Sequence, residues 1–205
     1  MANSLQIHET AVKYTERAQE GCTRLNNLLN RMSEASRLEQ SIDAMGKEKI
    51  EMVGFIRHYI DAQKATHPDI NFQFQTDLKV LYNIISPELI AQLFDKLFSN
   101  AISFHKTGTP IILSLHEAKN QQSGENKHTV QIELSNYGAM IDDDKLESIF
   151  TSLTSYRNHR SMQDHLGLGL YIASLISQFH QGRLTALNNK REQTMHFIFS
   201  LPINK

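Results

Sequence analysis

The sequence predicts an α+β fold: a two-layer α/β sandwich with helices on one face of a mixed sheet, preceded by a long N-terminal helix. Three observations carry this. Strand-like and helix-like segments alternate in the order β-β-α-β-β-α-α-β-β through the second two-thirds of the chain. Residues 4–40 hold no proline and one glycine, Gly21, and apolar or small residues recur there at three- and four-residue steps. Between the last two helices, residues 151–166 are polar and aperiodic, the mark of a flexible segment over a site.

The N-terminal stripe reads Tyr14, Ala18, Cys22, Leu25, Leu28/Leu29, Met32, Ala35 and Leu38. Its opposite face carries Glu16, Arg17, Glu20, Arg24, Asn27 and Arg31. A helix of that length has no means of burying its own stripe, so it needs a partner helix or a second chain. Cys22 sits on the stripe as a small packing residue.

Residues 46–65 read as a second helix, with Ile50, Val53, Ile56 and Ile60 on one side and His67-Pro68 as its stop. Ile70–Phe74 and Lys79–Ile84 are short β-type runs. Ser86 as N-cap and Pro87 at the first helical position open a third helix that runs to about Phe104. Strands follow near Ile111–Leu115 and Val130–Leu134, joined by a polar hairpin loop over 117–127. Asp142–Phe150 reads as a short helix and Gly167–Phe179 as a longer one. Arg183–Leu187 and Met195–Leu201 make a closing pair of strands.

Composition narrows the function. The 205 residues are 40% hydrophobic, enough for one core, and the formal charge of −1 offers no basic field for nucleic acid. No membrane-length apolar run and no signal-peptide pattern occur, and a single cysteine fits a reducing compartment; the expectation is a cytoplasmic protein. No pair of histidines has metal-ligand spacing on a helix.

Three segments carry the chemistry: Leu93–Ala101 on a helix, Asn136–Ile141 just after a strand, and His165–Ile172 opening a helix. A helix start flanked by Gly167 and Gly169 leaves backbone N–H groups and space for a polyphosphate, with the helix dipole adding attraction; close packing at glycines is the bland alternative. Lys96, Asn100 and Phe104 lie one turn apart on one helix face.

In order and together, these segments resemble the asparagine box and the two glycine boxes of the histidine-kinase catalytic domain, within the GHKL ATPase superfamily. Phe150 falls where such kinases begin their lid. Thr194 followed by Phe197–Pro202 resembles their last strand. Arg24-Leu25, Leu28-Leu29 and Ser36–Glu39 resemble the second helix of the dimerisation hairpin, which divides the chain into residues 1–42 and an ATP-binding domain over 43–205. Glu16–Gly21, Glu34–Gln40 and His165–Ile172 further resemble the histidine kinase of the proteobacterial dedicated sortase system.

The resemblance implies ATP and Mg²⁺ as cofactors, and transfer of the γ-phosphate to a histidine on a hairpin for relay to a response regulator. It implies a homodimer through the N-terminal helix in a longer parent protein, anchored in the membrane only by segments outside this chain. Asn100 would hold Mg²⁺ and, with Lys96, line the catalytic position. Ser103, Phe104, Asn136, Gly138, Ile141, Gly167, Leu168, Gly169, Leu170 and Thr194 would contact the nucleotide. Arg157 and Arg160 would reach its phosphates or stay solvated. Phe104 would stack near adenine or serve as plain core.

Five departures from the family pattern weaken nucleotide binding on this reading. Asn136 replaces the usual Asp that accepts the adenine amino proton, a loss on the order of 1 kcal/mol. Met140 and His165 stand where glycines are common, and Ser103 where a lysine often contacts phosphate. Lys96 replaces an asparagine; its ammonium has donors and no acceptor, so it does not ligate a metal. It is expected to meet the phosphates directly or, alternatively, to turn outward to a carboxylate such as Asp95 or Asp142. A glutamate base would be needed at position 96 for simple ATP hydrolysis of the gyrase or chaperone kind. A nucleotide-binding pseudokinase module is the runner-up reading. His8-Glu9 resembles the start of a phosphoacceptor box that Thr10–Lys13 do not continue, and His8 is expected in an interhelix loop, unphosphorylated.

Overall fold

The computed structural model describes residues 2–120, 127–151 and 168–204. Helix α1 spans Ala2–Ser41 without a break, so His8 lies within a helix and not in a loop. The absence of proline over this span lets the hydrogen-bond ladder continue through the position expected to turn. The stripe on α1 divides in two. Ala35 and Leu38 are buried against the rest of the molecule, whereas Tyr14, Cys22, Leu25 and Leu29 are exposed. Cys22 is therefore not a core residue here; nothing among the described residues covers that part of the helix.

After a 3₁₀ turn over Ile42–Ala44, strand β1 (Glu48–Glu51) pairs antiparallel with β3 (Tyr82–Ile85) in a separate two-stranded sheet. The helix expected from residue 46 begins only at Met52, as α2 (Met52–Thr66). Glu51 sets that start: its carboxylate accepts from the amides of Val53 (3.0 Å) and Gly54 (2.6 Å) and from the amide of Leu81 (3.2 Å). Burial opposes the charge, but the three amides outweigh it and hold the Glu51 carboxyl below its ordinary range.

The main sheet has the order β2-β4-β5-β7-β6, comprising β2 (Phe72–Gln75), β4 (Ile111–Asn120), β5 (Lys127–Tyr137), β6 (Arg183–Asn189) and β7 (Thr194–Pro202). Only β2 and β4 run parallel, so the sheet is mixed. Strands β4 and β5 pair as far as Asn120 and Lys127, so both ends of the expected 117–127 loop are strand; its middle, 121–126, lies outside the described residues. Alternate residues Ile111, Leu113 and Leu115, Val130, Ile132 and Leu134, and Phe197, Phe199 and Leu201 face the helices and are buried.

Helix α3 (Pro87–Phe104) is the centre of that layer. Pro87 suits its first turn, and Leu89, Leu93, Phe94, Leu97, Phe98 and Ala101 form its buried face. Burying each large side chain of this kind contributes roughly 1.5–3 kcal/mol. Ser86 is the N-cap residue, but its hydroxyl makes no cap hydrogen bond. Its amide donates instead to Nε2 of buried His180 (3.0 Å), which follows α4 (Leu168–Phe179). Tyr59 of α2 sets its ring edge against Phe94 and Phe98 and donates to Asp95 (2.6 Å). The segment 142–150 forms two 3₁₀ turns, Asp143–Lys145 and Ser148–Phe150, where a short helix was expected. Asn188 binds both the Ile141 carbonyl (2.6 Å) and Asp143 (2.8 Å), which pins the segment to the β6–β7 hairpin before a full helical turn can form.

Candidate functional site

The half-buried stripe of α3 that does not enter the core runs Gln92, Lys96, Asn100, Ser103 and Phe104. From Lys96 to Phe104 it covers about 12 Å of helix axis. Different elements close the two ends of this stripe.

At the Phe104 end the closure is made by backbone. The amide of Lys106 donates to the Tyr137 carbonyl (2.6 Å), and the amide of Ala139 to the Phe104 carbonyl (3.4 Å). His105 and Gly138 form an isolated bridge between them. Gly138 adopts φ +143°, and a Cβ there would stand 2.0 Å from the Phe104 carbonyl oxygen. Only glycine allows the strand end and the helix end to approach this closely. Next to it, Asn136 is 2% exposed, on the helix-facing side of the sheet; its Nδ2 donates to the Tyr137 carbonyl at 3.3 Å. Its amide oxygen is a neutral acceptor in a dry wall. Ile141 is half-buried against the core, with its carbonyl held by Asn188. Ser103 donates its hydroxyl back to the Ser99 carbonyl of its own helix (2.8 Å).

At the other end the closure is made by side chains. An added Cβ on Gly169, in the first turn of α4, would lie 3.8 Å from Lys96 Cβ and 3.9 Å from Cδ, so the lysine stem rests along the helix start. Leu168 is buried and Leu170 packs against the core. The Lys96 ammonium donates to Glu34 of α1 (2.7 Å), and Gln92 Nε2 donates to the same carboxylate oxygen (3.3 Å). Tyr171, also on α4, donates to Glu39. Lys96 and Glu34 are 25% and 38% exposed, so their pairing contributes on the order of 1 kcal/mol or less. That is enough to bias the seat of α1 without locking it.

The comparisons with known proteins agree with this geometry. Residues 85–205 match the family model described as histidine kinase-, DNA gyrase B- and HSP90-like ATPase. The chain belongs to that ATPase family. Sensor protein kinase WalK of Staphylococcus aureus is 25% identical over 191 residues, which is 93% of this chain and 45% of the relative. The chain thus spans less than half the length of the curated relatives it matches. Among solved structures, the catalytic domain of histidine kinase ThkA superposes with a TM-score of 0.63 at 23% identity, covering 78% of this chain and 97% of that one. Full-length ShkA in complex with AMPPNP gives 0.70 at 18% identity over 88% of this chain and 36% of that one. These likenesses establish the fold, a GHKL-type sandwich.

Within this ATPase domain the expected residues separate. Asn100, Ser103, Phe104, Asn136, Gly138, Ile141, Leu168, Gly169 and Leu170 border the α3 stripe or its two closures. Thr194 does not join them. Its strand neighbour Met195 pairs with Asn136, so Thr194 points to the opposite face, where its hydroxyl meets His196 Nε2 (2.7 Å) and His196 Nδ1 meets Glu133 (2.6 Å). Lys96 pairs with a carboxylate, but with Glu34; Asp95 and Asp142 are taken by Tyr59 and Lys145. Phe150 is buried edge-on to Phe197 (6.4 Å). Arg157, Arg160, His165 and Gly167 lie outside the described residues. The sequence reading missed Glu34, Gln92 and Tyr171 as neighbours of the site, along with Asn188 as the brace of Ile141. The first three come together by the docking of three separate helices and leave no local pattern. Among the described residues no cluster of three metal-ligating side chains occurs. A nucleotide-bound Mg²⁺ needs none, because phosphates and water supply most of its ligands.

Proposed function

We propose that the chain is the ATP-binding catalytic module of a sensor histidine kinase. Its work is to present the γ-phosphate of ATP to a histidine on a helical hairpin, for relay to a response regulator. The observation that carries this is the two-ended stripe of α3, closed by Gly138 at one end and by Gly169 at the other, in a chain of the histidine kinase-like ATPase family. The donor set fits the ligand. Asn136 offers a buried amide oxygen to the adenine amino group, and Phe104 and Ile141 would add apolar contacts to the base. Asn100, one turn beyond Lys96, offers an amide oxygen to Mg²⁺, and the start of α4 offers backbone N–H groups to the phosphates. Mg²⁺ supplies charge neutralisation at the phosphates. Arg157 and Arg160 would add guanidinium contacts to the same phosphates.

Residues 1–42 would be the second helix of the dimerisation hairpin, and the exposed Tyr14, Leu25 and Leu29 would meet a partner helix in a homodimer. The acceptor histidine is not His8. That residue lies on the same unbroken helix as Glu34, about 39 Å of axial rise from it. The parent would place this module on the cytoplasmic side of a membrane sensor; among the described residues no helix is long and apolar enough to cross a membrane. The sequence kinship suggested by Glu16–Gly21 and Glu34–Gln40 makes the sortase-system kinase the subgroup of choice.

One observation favours a second reading, a nucleotide-binding pseudokinase: Lys96 occupies the place of a metal-side amide and is held by Glu34. Calorimetric titration with a non-hydrolysable ATP analogue tests the first claim, with and without Mg²⁺. Saturable binding that weakens on removing Mg²⁺, and weakens again in Asn100→Ala, is expected. No saturable heat at millimolar analogue would refute it. Phosphoryl transfer to a hairpin supplied in trans then separates kinase from pseudokinase.

A further inference from the structure

We propose that Glu34 and the phosphates of a bound nucleotide compete for the Lys96 ammonium, so that α1 is a latch which nucleotide binding loosens. The proposal rests on the nucleotide-site reading above and adds a regulation to that site. Four observations lead to it. The Lys96 stem lies along Gly169, in the first turn of α4, so its ammonium is within reach of any anion seated at that helix start. That ammonium is instead bound to Glu34 at 2.7 Å. The same carboxylate oxygen takes Gln92, one turn back on α3, so Glu34 straddles the N-terminal half of the stripe. Finally, the seat of α1 is small and polar. Ala35 and Leu38 are its buried apolar residues, Glu39–Tyr171 is its second polar tie, and an open groove lined by Asn30, Ser33, Arg37 and Gln92 separates α1 from α3.

A carboxylate 2.7 Å from the ammonium stands within a few ångströms of any phosphate oxygen that the ammonium also binds. Two anions at that separation repel, and a single compact cation does not neutralise a triphosphate and a carboxylate together. Either the phosphates take Lys96 and Glu34 swings into the groove, or Glu34 keeps Lys96 and the nucleotide binds less tightly. Because coupling between two binding events is reciprocal, Glu34 weakens nucleotide binding by the same factor by which nucleotide weakens the seat of α1. An apolar, tightly packed seat would resist this; a polar, groove-lined one does not.

The test is a double-mutant cycle on ATP affinity measured by calorimetry, with the whole chain carrying Glu34→Gln, Lys96→Met or both. Glutamine keeps the helix and an acceptor while removing the charge. Glu34→Gln is expected to tighten ATP binding ~2–5-fold, the scale of one partly exposed ion pair, and to lose that gain in the Lys96→Met background. Hydrogen exchange of residues 30–41 is expected to rise when ATP saturates the parent chain, and to change less in Glu34→Gln. ATP binding that is unchanged or weaker in Glu34→Gln overturns the latch and leaves the nucleotide site standing. An equal gain with and without Lys96 also overturns it, because the effect would then be general charge. If no variant binds ATP, the site reading falls and the latch with it.

Discussion

The two ends of the α3 stripe are built by different means. The Gly138 end is fixed by main chain: two strand-end hydrogen bonds, a bridge, and a carbonyl that excludes even a methyl group. The Lys96 end is fixed by a flexible lysine, a shared carboxylate and a tyrosine–glutamate contact, all reaching to another helix. Backbone closure has one solution, whereas side-chain closure has several of similar energy. The first suits recognition of an unchanging base. The second suits an end that adjusts to the charge it meets.

The largest effect is expected where the rigid end is forced open. Gly138→Val places a branched side chain at φ +143° against the Phe104 carbonyl, which should cost about 2–4 kcal/mol of stability and weaken ATP binding at least ~10-fold. Urea midpoints and calorimetry read both. A variant as stable as the parent would show that the closure is adjustable after all.

Asn136→Ala should weaken ATP binding about 10-fold by removing a buried acceptor. Inosine triphosphate, which lacks the amino donor, should bind the parent and the variant equally. A variant that still prefers ATP over inosine triphosphate to the parent's degree would place the base elsewhere.

Both ends depend on the scaffold beneath them, and His180 supplies a test of that. Its Nε2 accepts from the Ser86 amide and its Nδ1 faces the Ile176 carbonyl (2.8 Å), so the ring is held neutral. Burial pushes its pKa below the ordinary 6.5, only partly opposed by the Ile176 carbonyl and assisted by nearby Lys47. The unfolded chain therefore binds a proton that the folded one refuses. His180's contribution to stability is complete above pH 6.5 and declines as the pH falls from there towards the lowered folded value. The slope approaches about 1.4 kcal/mol per pH unit at most. Unfolding at pH 7.5 and 5.5 in the parent and in His180→Gln should show the steeper loss in the parent; equal losses would remove His180 from the linkage.

The smallest effect belongs to the adjustable end. Lys96→Asn should change ATP affinity only a few-fold, on the order of 1 kcal/mol, while making it more dependent on Mg²⁺. Affinities in Mg²⁺ and in EDTA measure this, and equal metal dependence in both proteins would take Lys96 out of the phosphate site.

The same contrast explains what was legible in the sequence. The sandwich, the long first helix and the Asn136–Gly138 corner follow from short-range patterns: period, proline, glycine and a strand end. Glu51 shows how a local pattern misleads. Residues 46–65 carry helical spacing, yet the carboxylate that caps α2 also takes the amide of Leu81, so the preceding residues go to a strand. Thr194 is set on the face opposite Asn136 by register, since one residue along a strand exchanges faces. Glu34 as the partner of Lys96 was not legible, because it lies 62 positions away on a separate helix and no local rule selects it over Asp95. Misses of this kind gather at the side-chain-built end of the stripe.

Hydrogen exchange with saturating ATP and Mg²⁺ tests the central claim most directly, because it reads both ends at once. Added protection is expected on residues 96–104 of α3, on 136–141 and at the start of α4, together with loss of protection on residues 30–41. Protection confined to other segments, or no change at millimolar ATP, would contradict a nucleotide site centred on α3.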